Sequence, residues 1–519
     1  MQTSKIKILW ADDEMDLLKS QILFLTEKGY EVVAVSNGHD ALDAIKADYF
    51  DVVFLDENMP GISGLEVLPR IKEINQQVPV VMITKSEEEN IMEEAIGSQI
   101  ADYLIKPVKP NQILLCLKRL IDNKRLVSEK TTSSYRQEFQ SMLADISNTN
   151  NAADWVEVYK KMVFWELELD RSESKEMQEV LAMQKQEAGS NFCKFITKKY
   201  TGWLTAPDAN TPVLSHTLLA KKVLPSIPEY SSTFLVVIDN LRFDQWKMIQ
   251  PLLAGFTKPI EEEAYFAILP TATQYARNAL FAGLTPLDIA KKYPDKWVND
   301  VEEEGKNLHE EFFLQEQLKR LGKNYKMSFQ KITNHNHATA LVDNVQNLLG
   351  NPLNVIVYNF MDMLSHARTE MDVLKELAPD EKAYRSITTS WFEHSSLFEA
   401  LKKLEGKHVQ IIITTDHGSI RVHKATKVQG DRQTSTNLRY KTGKSLQFDE
   451  KDCFGVRKPE DARLPSAFVS SEFIFAKADN FLVYGNNFNQ YANFYTNSFQ
   501  HGGISLEEII VPIVRLATK

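Results

Sequence analysis

Cysteine is nearly absent from this chain: three in 519 residues, Cys116, Cys193 and Cys453, with no CxxC spacing and no even-numbered set. That excludes a disulfide-stapled secreted scaffold and a zinc–thiolate cluster, and it fits a reducing compartment. Long hydrophobic runs are missing too. No stretch approaches the roughly 18 uninterrupted apolar residues of a membrane-spanning helix. The N-terminal MQTSKIKILWADDE has an apolar run too short for a signal peptide, and it ends in carboxylates. A cytoplasmic protein without membrane insertion is expected. There is no excess of positive charge: the formal net charge of −10 provides no global attraction to nucleic acid or anionic membranes, so any basic patch has to be local. Internal repeats and low-complexity tracts are also lacking.

A hydrophobic content of 43% and a charged content of 25% are those of a globular protein. A chain of this length exceeds one ordinary core and should divide into two to four domains. Over residues 1–120, five short apolar runs, KIKILWA, YEVVAVS, FDVVFLD, VPVVMIT and ADYLIK, alternate with helix-like stretches such as LLKSQILFL and NIMEEAI. Five β/α repeats predict a doubly wound parallel sheet whose functional side lies beyond the C-terminal strand ends. Over 121–205 the strand signal vanishes. FQSMLADI, WVEVYKKMVFWELEL and MQEVLAMQKQ have helical periodicity, so Trp155, Met162, Trp165, Met177 and Met183 are expected in the core of a helical bundle. The remainder, 206–519, returns to α/β, with candidate strands FLVVID, AYFAILP, NVIVYNF, VQIIITTD and EEIIVPIVRL. Its least globular piece is 419–450.

In the first domain, strand one ends in Asp12 and Asp13, strand three in Asp56, strand four in Thr84 and strand five in Lys106. Neighbouring strand ends bring three carboxylates together with a hydroxyl and an ammonium. Such carboxylates raise one another's proton affinity unless a cation shares the site, and an oxygen-rich site suits Mg²⁺ and phosphoryl transfer. Residues 1–120 resemble response-regulator receiver domains, of flavodoxin-like fold. The resemblance implies Asp56 in FLDENMPG as phospho-acceptor, with Mg²⁺ held by Asp13, Asp56 and the Asn58 carbonyl and assisted by Asp12. It further implies Thr84 and Lys106 as phosphoryl-binding groups, Tyr103 as the aromatic switch, a sensor histidine kinase as partner and dimerisation on phosphorylation. The apolar ILLCLKRLI helix after Lys106 would run on towards the helical middle. Lys85, where the family has a small residue after the Thr, departs from the pattern.

The C-terminal domain carries a second set of strand-end ligands: Asp239 after FLVVI, Thr271 in LPTATQ, Asp362 and His366 in DMLSH, Asp416 and His417 in TTDHGS, and His501 in QHGGIS. Alone, Asp362 and His366 read as an i,i+4 ion pair. Ser505 and Glu508 read as a capping box. Three carboxylates, three imidazoles and a hydroxyl without thiolate are typical of catalytic zinc, with Mn²⁺ the softer alternative. Two metals about 4 Å apart activate a hydroxyl and clamp the oxygens of a phosphate ester. Thr271 is placed to be that hydroxyl.

The ordered motifs DNLRFDQW, LPTATQYARNALFAG, DMLSH, TTDHGS and HGGISLEEIIVPIV resemble the PglZ branch of the alkaline phosphatase superfamily, an α/β fold with a central, mostly parallel sheet. That resemblance implies one zinc on Asp239, Thr271, Asp416 and His417, a second on Asp362, His366 and His501, and Thr271 as nucleophile. PTATQ lacks the formylglycine-type signature of the superfamily's sulfatases, which disfavours sulfate esters. A receiver, a helical middle and a PglZ domain together resemble the PorX-type regulators linked to the type IX secretion system, whose components and a sigma factor are the partners implied. The segment HKATKVQGDRQTSTNLRYKTGK offers Lys424, Lys427, Arg432, Arg439, Tyr440, Lys441 and Lys444 for an oligonucleotide or cyclic nucleotide substrate, or is a solvated loop. The expected function is phosphorylation-controlled hydrolysis of phosphodiesters. The rival is an interaction module whose zinc is structural or vestigial.

Overall fold

A computed structural model describes residues 6–75, 78–85, 100–172, 174–299, 305–359, 378–431, 434–466, 468 and 470–519. The chain forms two compact units, Met1–Ser134 and Tyr135–Lys519. One helix, Pro110–Asn148, carries the chain from the first into the second. Among the described residues no helix is long and apolar enough to cross a membrane.

The first unit is a five-stranded parallel sheet of order β2-β1-β3-β4-β5, formed by β1 (Lys7–Ala11), β2 (Glu31–Val35), β3 (Val52–Asp56), β4 (Val80–Thr84) and β5 (Asp102–Ile105). All five expected strands are present. Strand side chains alternate between two faces, and a doubly wound sheet covers both, so the central strands read as unbroken apolar runs. Leu9, Val53 and Leu55 pack on one face, and Ile8, Trp10, Val52 and Phe54 on the other. The helix Gly64–Ile74 opens with a Ser63/Glu66 capping box. A Cβ on Gly64 would lie 2.2 Å from the Asp56 carbonyl oxygen, so only glycine lets this helix start against the end of β3.

The second unit is built on a six-stranded sheet of order β7-β18-β10-β6-β9-β8. Its strands are β6 (Thr233–Ile238), β7 (Thr257–Phe266), β8 (Met327–Ile332), β9 (Leu353–Tyr358), β10 (Gln410–Thr414) and β18 (Ile510–Thr518). Strands β8, β9, β6 and β10 are mutually parallel, and β18 runs antiparallel to both β10 and β7. Two expectations change at the sheet edges. β7 takes only the first three residues of AYFAILP and begins earlier, in the charged stretch TKPIEEE. β8, MSFQKI, gave no apolar run. Both are edge strands, and an edge does not need a continuous hydrophobic sequence.

The helices Ala152–Ser172 and Lys175–Thr205 pack against each other and against this sheet in one continuous core. Trp155 meets Phe192 at 5.3 Å between ring centroids, and Trp203 meets Phe266 of β7 at 5.6 Å. Trp155, Met162, Trp165 and Met177 are buried as expected, but Met183 is 65% exposed, on the outer side of its helix. The segment 419–450 holds three further strands, β11 (Ile420–Arg421), β12 (Lys424–Val428) and β13 (Tyr440–Lys444). β13 lies in a sheet of order β13-β15-β14 with β14 (Cys453–Val456) and β15 (Ser471–Ala476), while β12 pairs with β16 (Asn480–Tyr484) and β11 with β17 (Phe499–Gln500).

Candidate metal and phosphoryl-binding sites

In the first unit, β1, β3 and β5 bring Asp12, Asp13, Asp56 and Lys106 together. One oxygen from each of the three carboxylates lies within 4.8 Å of the others. Asp12 and Asp56 are buried and Asp13 is exposed. Lys106 Nζ sits 3.0 Å from both Asp12 Oδ2 and Asp56 Oδ1, and 3.4 Å from Glu14. Burial pushes the Asp56 carboxyl up to about 6 against the opposing pull of Lys106. Burial also works against the Lys106 charge, yet its bonds to Asp12 and Asp56 raise it to about 12. The ammonium therefore occupies the acidic pocket as a resident counter-charge. Asn58 is exposed, and the Thr84 hydroxyl donates to Glu57. Tyr103 is 41% exposed, an outward-turned ring on β5. Lys85 pairs with Glu14 at 3.1 Å, which adds a second cation beside Lys106.

In the second unit, β6 delivers Asp239 and β10 delivers Asp416 and His417, one ligand atom of each lying within 4.8 Å of the others and all three buried. Asp416 Oδ1 accepts from the backbone N–H groups of His417 (3.1 Å) and Asn240 (3.3 Å), which tie the two strand ends together. His417 Nδ1 is 3.1 Å from the Gly418 carbonyl. A carbonyl only accepts, so Nδ1 carries the proton and Nε2 presents a lone pair towards Asp239 Oδ1 (3.8 Å) and Asp416 Oδ2 (3.7 Å). His501 stacks on His417 at 4.3 Å and repeats the pattern, with Nδ1 at 3.1 Å from the Thr271 carbonyl. A ring whose Nδ1–H is held by a carbonyl is the usual orientation of a metal-binding imidazole. The donor set of two carboxylates and an imidazole nitrogen fits zinc.

The expected hydroxyl, that of Thr271, is bonded to the 502–503 backbone. Thr271 is fully buried, its hydroxyl donating to the Gly503 carbonyl at 3.0 Å and accepting from the Gly502 N–H at 3.0 Å. Thr273, the first residue of the helix Thr273–Ala282, places Oγ 3.2 Å from His417 Nε2 and 3.4 Å from Asp239 Oδ1. Thr271 instead belongs to a neighbouring buried network. In it the Arg439 guanidinium and the Glu508 carboxylate form a fully buried pair, and Glu508 also accepts from the Gly503 N–H at 2.8 Å. Ser505 does cap Glu508 N–H, as expected, but the Glu508 carboxylate faces Arg439 as well as Ser505.

Sequence reasoning also missed Arg277 and Glu310. Arg277 lies one helical turn after Thr273 on the same face. Its guanidinium bonds Asp239 Oδ2 at 2.9 Å and Glu310 Oε1 at 2.7 Å, all three groups being 1% exposed. The i,i+4 pair Thr273/Arg277 within TQYAR was the available signal. Asp362, His366 and Arg432 lie outside the described residues. Of the remaining basic-segment residues, Arg439, Tyr440 and Lys441 are buried in or beside β13, so they cannot track a polyanion or stack a base. Lys441 packs over the Tyr484 ring at 4.5 Å and Lys444 over Phe468 at 4.2 Å. Lys424 pairs with Asp452 at 2.6 Å, and Lys427 is exposed.

Residues 8–118 match the response regulator receiver domain, 125–204 the PorX response regulator linker domain, and 218–516 the BREX system PglZ alkaline phosphatase-like domain. The transcriptional regulatory protein ResD of Bacillus subtilis is 32% identical over 121 residues, which are 23% of this chain and 50% of ResD. ZraR of Klebsiella oxytoca is 30% identical over 139 residues, 27% of this chain and 31% of ZraR. The chain thus spans half the length of the first of these relatives and under a third of the second. Among solved structures, a CheY-like receiver domain protein from Methanospirillum hungatei is 25% identical, covering 23% of this chain and 96% of its own, with a TM-score of 0.23.

Proposed function

Because the chain belongs to the PglZ alkaline phosphatase-like family, whose model covers more than half of it, we propose a response regulator whose effector domain is a zinc-dependent phosphodiesterase. The receiver would occupy 1–120, the helical middle 121–205 and the PglZ domain 206–519. The observation that carries this reading is the buried convergence of Asp239, Asp416 and His417, with the Thr273 hydroxyl 3.4 Å from Asp239 Oδ1 and 3.2 Å from His417 Nε2. Asp239, Asp416 and His417 would hold one zinc, and His501 would contribute to a second with Asp362 and His366. Bound there, zinc supplies Lewis-acid stabilisation of phosphoryl charge and favours an ionised hydroxyl. Thr273 Oγ attacks phosphorus, an O–P bond forms, and the bond to the leaving alkoxide breaks as that oxygen takes a proton. Water then cleaves the phosphothreonine, restoring the hydroxyl and releasing the phosphomonoester. The substrate class is a nucleotide-derived phosphodiester, linear or cyclic.

In the receiver, a sensor histidine kinase would phosphorylate Asp56, with Mg²⁺ on Asp12, Asp13, Asp56 and the Asn58 carbonyl. For that step Lys106 moves from the carboxylates to the phosphoryl oxygens, and Thr84 exchanges Glu57 for the same group. Tyr103 would turn inward, and the phosphorylated chain would dimerise and address type IX secretion components or a sigma factor. The deciding experiment measures metal content and bis-p-nitrophenyl phosphate hydrolysis on wild type beside Thr273→Val. Bound zinc with turnover that vanishes in the variant supports the enzyme. Bound zinc without turnover, whether Asp56 is phosphorylated or not and with oligonucleotides as well, leaves an interaction module holding structural zinc.

A further inference from the structure

Asp239 has two differently engaged oxygens. Oδ1 faces His417 Nε2 and the Thr273 hydroxyl, at 3.8 and 3.4 Å, and Oδ2 receives Arg277 Nη1 at 2.9 Å. Arg277 is itself held: its Nε donates to Glu310 Oε1 at 2.7 Å, and its Nη1 also reaches Asn359 Oδ1 at 3.2 Å. Glu310 turns its other oxygen to Lys331 Nζ, at 2.9 Å, and that ammonium also donates to the Asn307 carbonyl at 2.7 Å. The chain of contacts therefore runs from a lysine that is 26% exposed on β8, through two groups that are each 1% exposed, to the metal-site carboxylate.

Two features separate this chain from an ordinary structural staple. The first is charge. Asp239, Asp416 and Glu310 are three buried carboxylates, and Arg277 Nε lies 3.8 Å from Asp416 Oδ2 as well. Burial works against the charge of Arg277, but Asp239, Glu310 and Asp416 together hold it well above its ordinary range. The guanidinium thus offsets part of the repulsion of a cluster that must stay ionised to bind a cation. The second is direction. The guanidinium donors point in fixed directions, so with Nε held by Glu310 the Nη1 group is aimed at Asp239 Oδ2, which a flexible point charge would not ensure. With Oδ2 occupied by Arg277, Asp239 turns a single oxygen toward His417 and Thr273.

We propose that Lys331, Glu310 and Arg277 form a positioning relay that fixes Asp239 for one-oxygen ligation and thereby sets the affinity of the Asp239/Asp416/His417 site for its metal. The relay rests on the metal-site reading above. Arg277 acts through Asp239, and groups that orient a metal ligand in this way typically change affinity about 10–100-fold when removed.

The test is zinc affinity of the full-length chain by competition with a chromophoric chelator, with folding followed by circular dichroism. The relevant site is the one lost in Asp239→Ala. Arg277→Lys and Glu310→Gln are expected to weaken that site about 10–100-fold. Lys331→Met, a change at a partly exposed position that the fold should tolerate, is expected to weaken it a few-fold. That effect should vanish in a Glu310→Gln background, as coupled neighbours require. Unchanged zinc affinity in folded Lys331→Met and Arg277→Lys overturns the relay while leaving the metal site standing. Additive effects of Lys331→Met and Glu310→Gln overturn the Lys331 step. A wild-type chain that binds no zinc removes the metal-site reading and the relay with it.

Discussion

Thr273 Oγ lies 3.2 Å from His417 Nε2, whereas Thr271 Oγ, two residues earlier, is bonded to the Gly503 carbonyl and the Gly502 N–H. The two threonines of PTATQ therefore have separable roles. Thr273→Val should lower bis-p-nitrophenyl phosphate turnover by about a thousandfold or more, the scale of losing a nucleophile, with little change in stability. Thr271→Val should leave a buried N–H unpaired and destabilise the unit by about 1–3 kcal/mol, with turnover within about tenfold of wild type once folded. Urea melts beside steady-state rates separate the two. The reverse pattern would return the nucleophile to Thr271.

Metal removal gives a second expectation. Asp239, Asp416 and Glu310 are buried close together with one guanidinium among them, so a divalent cation that binds the folded chain should stabilise it by mass action. Dialysis against a chelator should lower the melting temperature of the second unit, and zinc at about 1,000 times its Kd should restore about 4 kcal/mol. Calorimetry with and without metal reads this directly, and a melting temperature indifferent to zinc would contradict it.

How much of this was legible beforehand depended on which physical constraint each residue answers to. VVFLD and VVMIT read as strands because both faces of the first sheet are covered, and the chemistry at their ends followed from topology. Asp239 and Asp416–His417 were legible for the same reason. The contact of Thr273 with His417 was not, because which threonine of PTATQ faces the cluster depends on where a helix begins: Ala272 is extended, with φ −140° and ψ 144°, and the helix starts at Thr273. Arg277 and Glu310 escaped, and Arg439 was read as a substrate-binding group rather than a buried one, because charged residues are ordinarily exposed and only a fold that supplies partners lets them be buried. For the same reason a lysine- and arginine-rich stretch looked like a solvated loop when half of it is strand.

The Arg439–Glu508 pair has both side chains at 0% exposure, and Glu508 additionally receives the N–H of Gly503, two residues after His501. Removing one member leaves the other's charge buried without a counter-ion, at a cost of about 3–5 kcal/mol. Arg439→Met should therefore shift the denaturation midpoint strongly. Replacing both residues, Arg439→Met with Glu508→Leu, should recover part of that loss. A double variant less stable than the sum of the singles would show that the carboxylate's bonds to Gly503 and Ser505 matter more than the pair.

Lys441 supplies a pH test. Its ammonium is buried under the Tyr484 ring, 1% of the residue being exposed, and burial lowers its pKa to about 7. A lysine whose folded pKa lies below its ordinary value near 10.5 opposes folding when charged. The penalty is complete below about pH 7, shrinks as pH rises from there, and is gone above the unfolded value. Lys441→Met keeps the chain length and removes the charge, so it should stabilise the protein on the order of 4 kcal/mol at neutral pH. The gain should shrink steadily between about pH 7 and 10.5, the two limits of the shift. Paired urea melts at pH 6, 8 and 10, chosen to bracket that window, provide the measurement. A Lys441→Met stability difference that stays constant with pH would mean that the amine finds water or a carboxylate when charged.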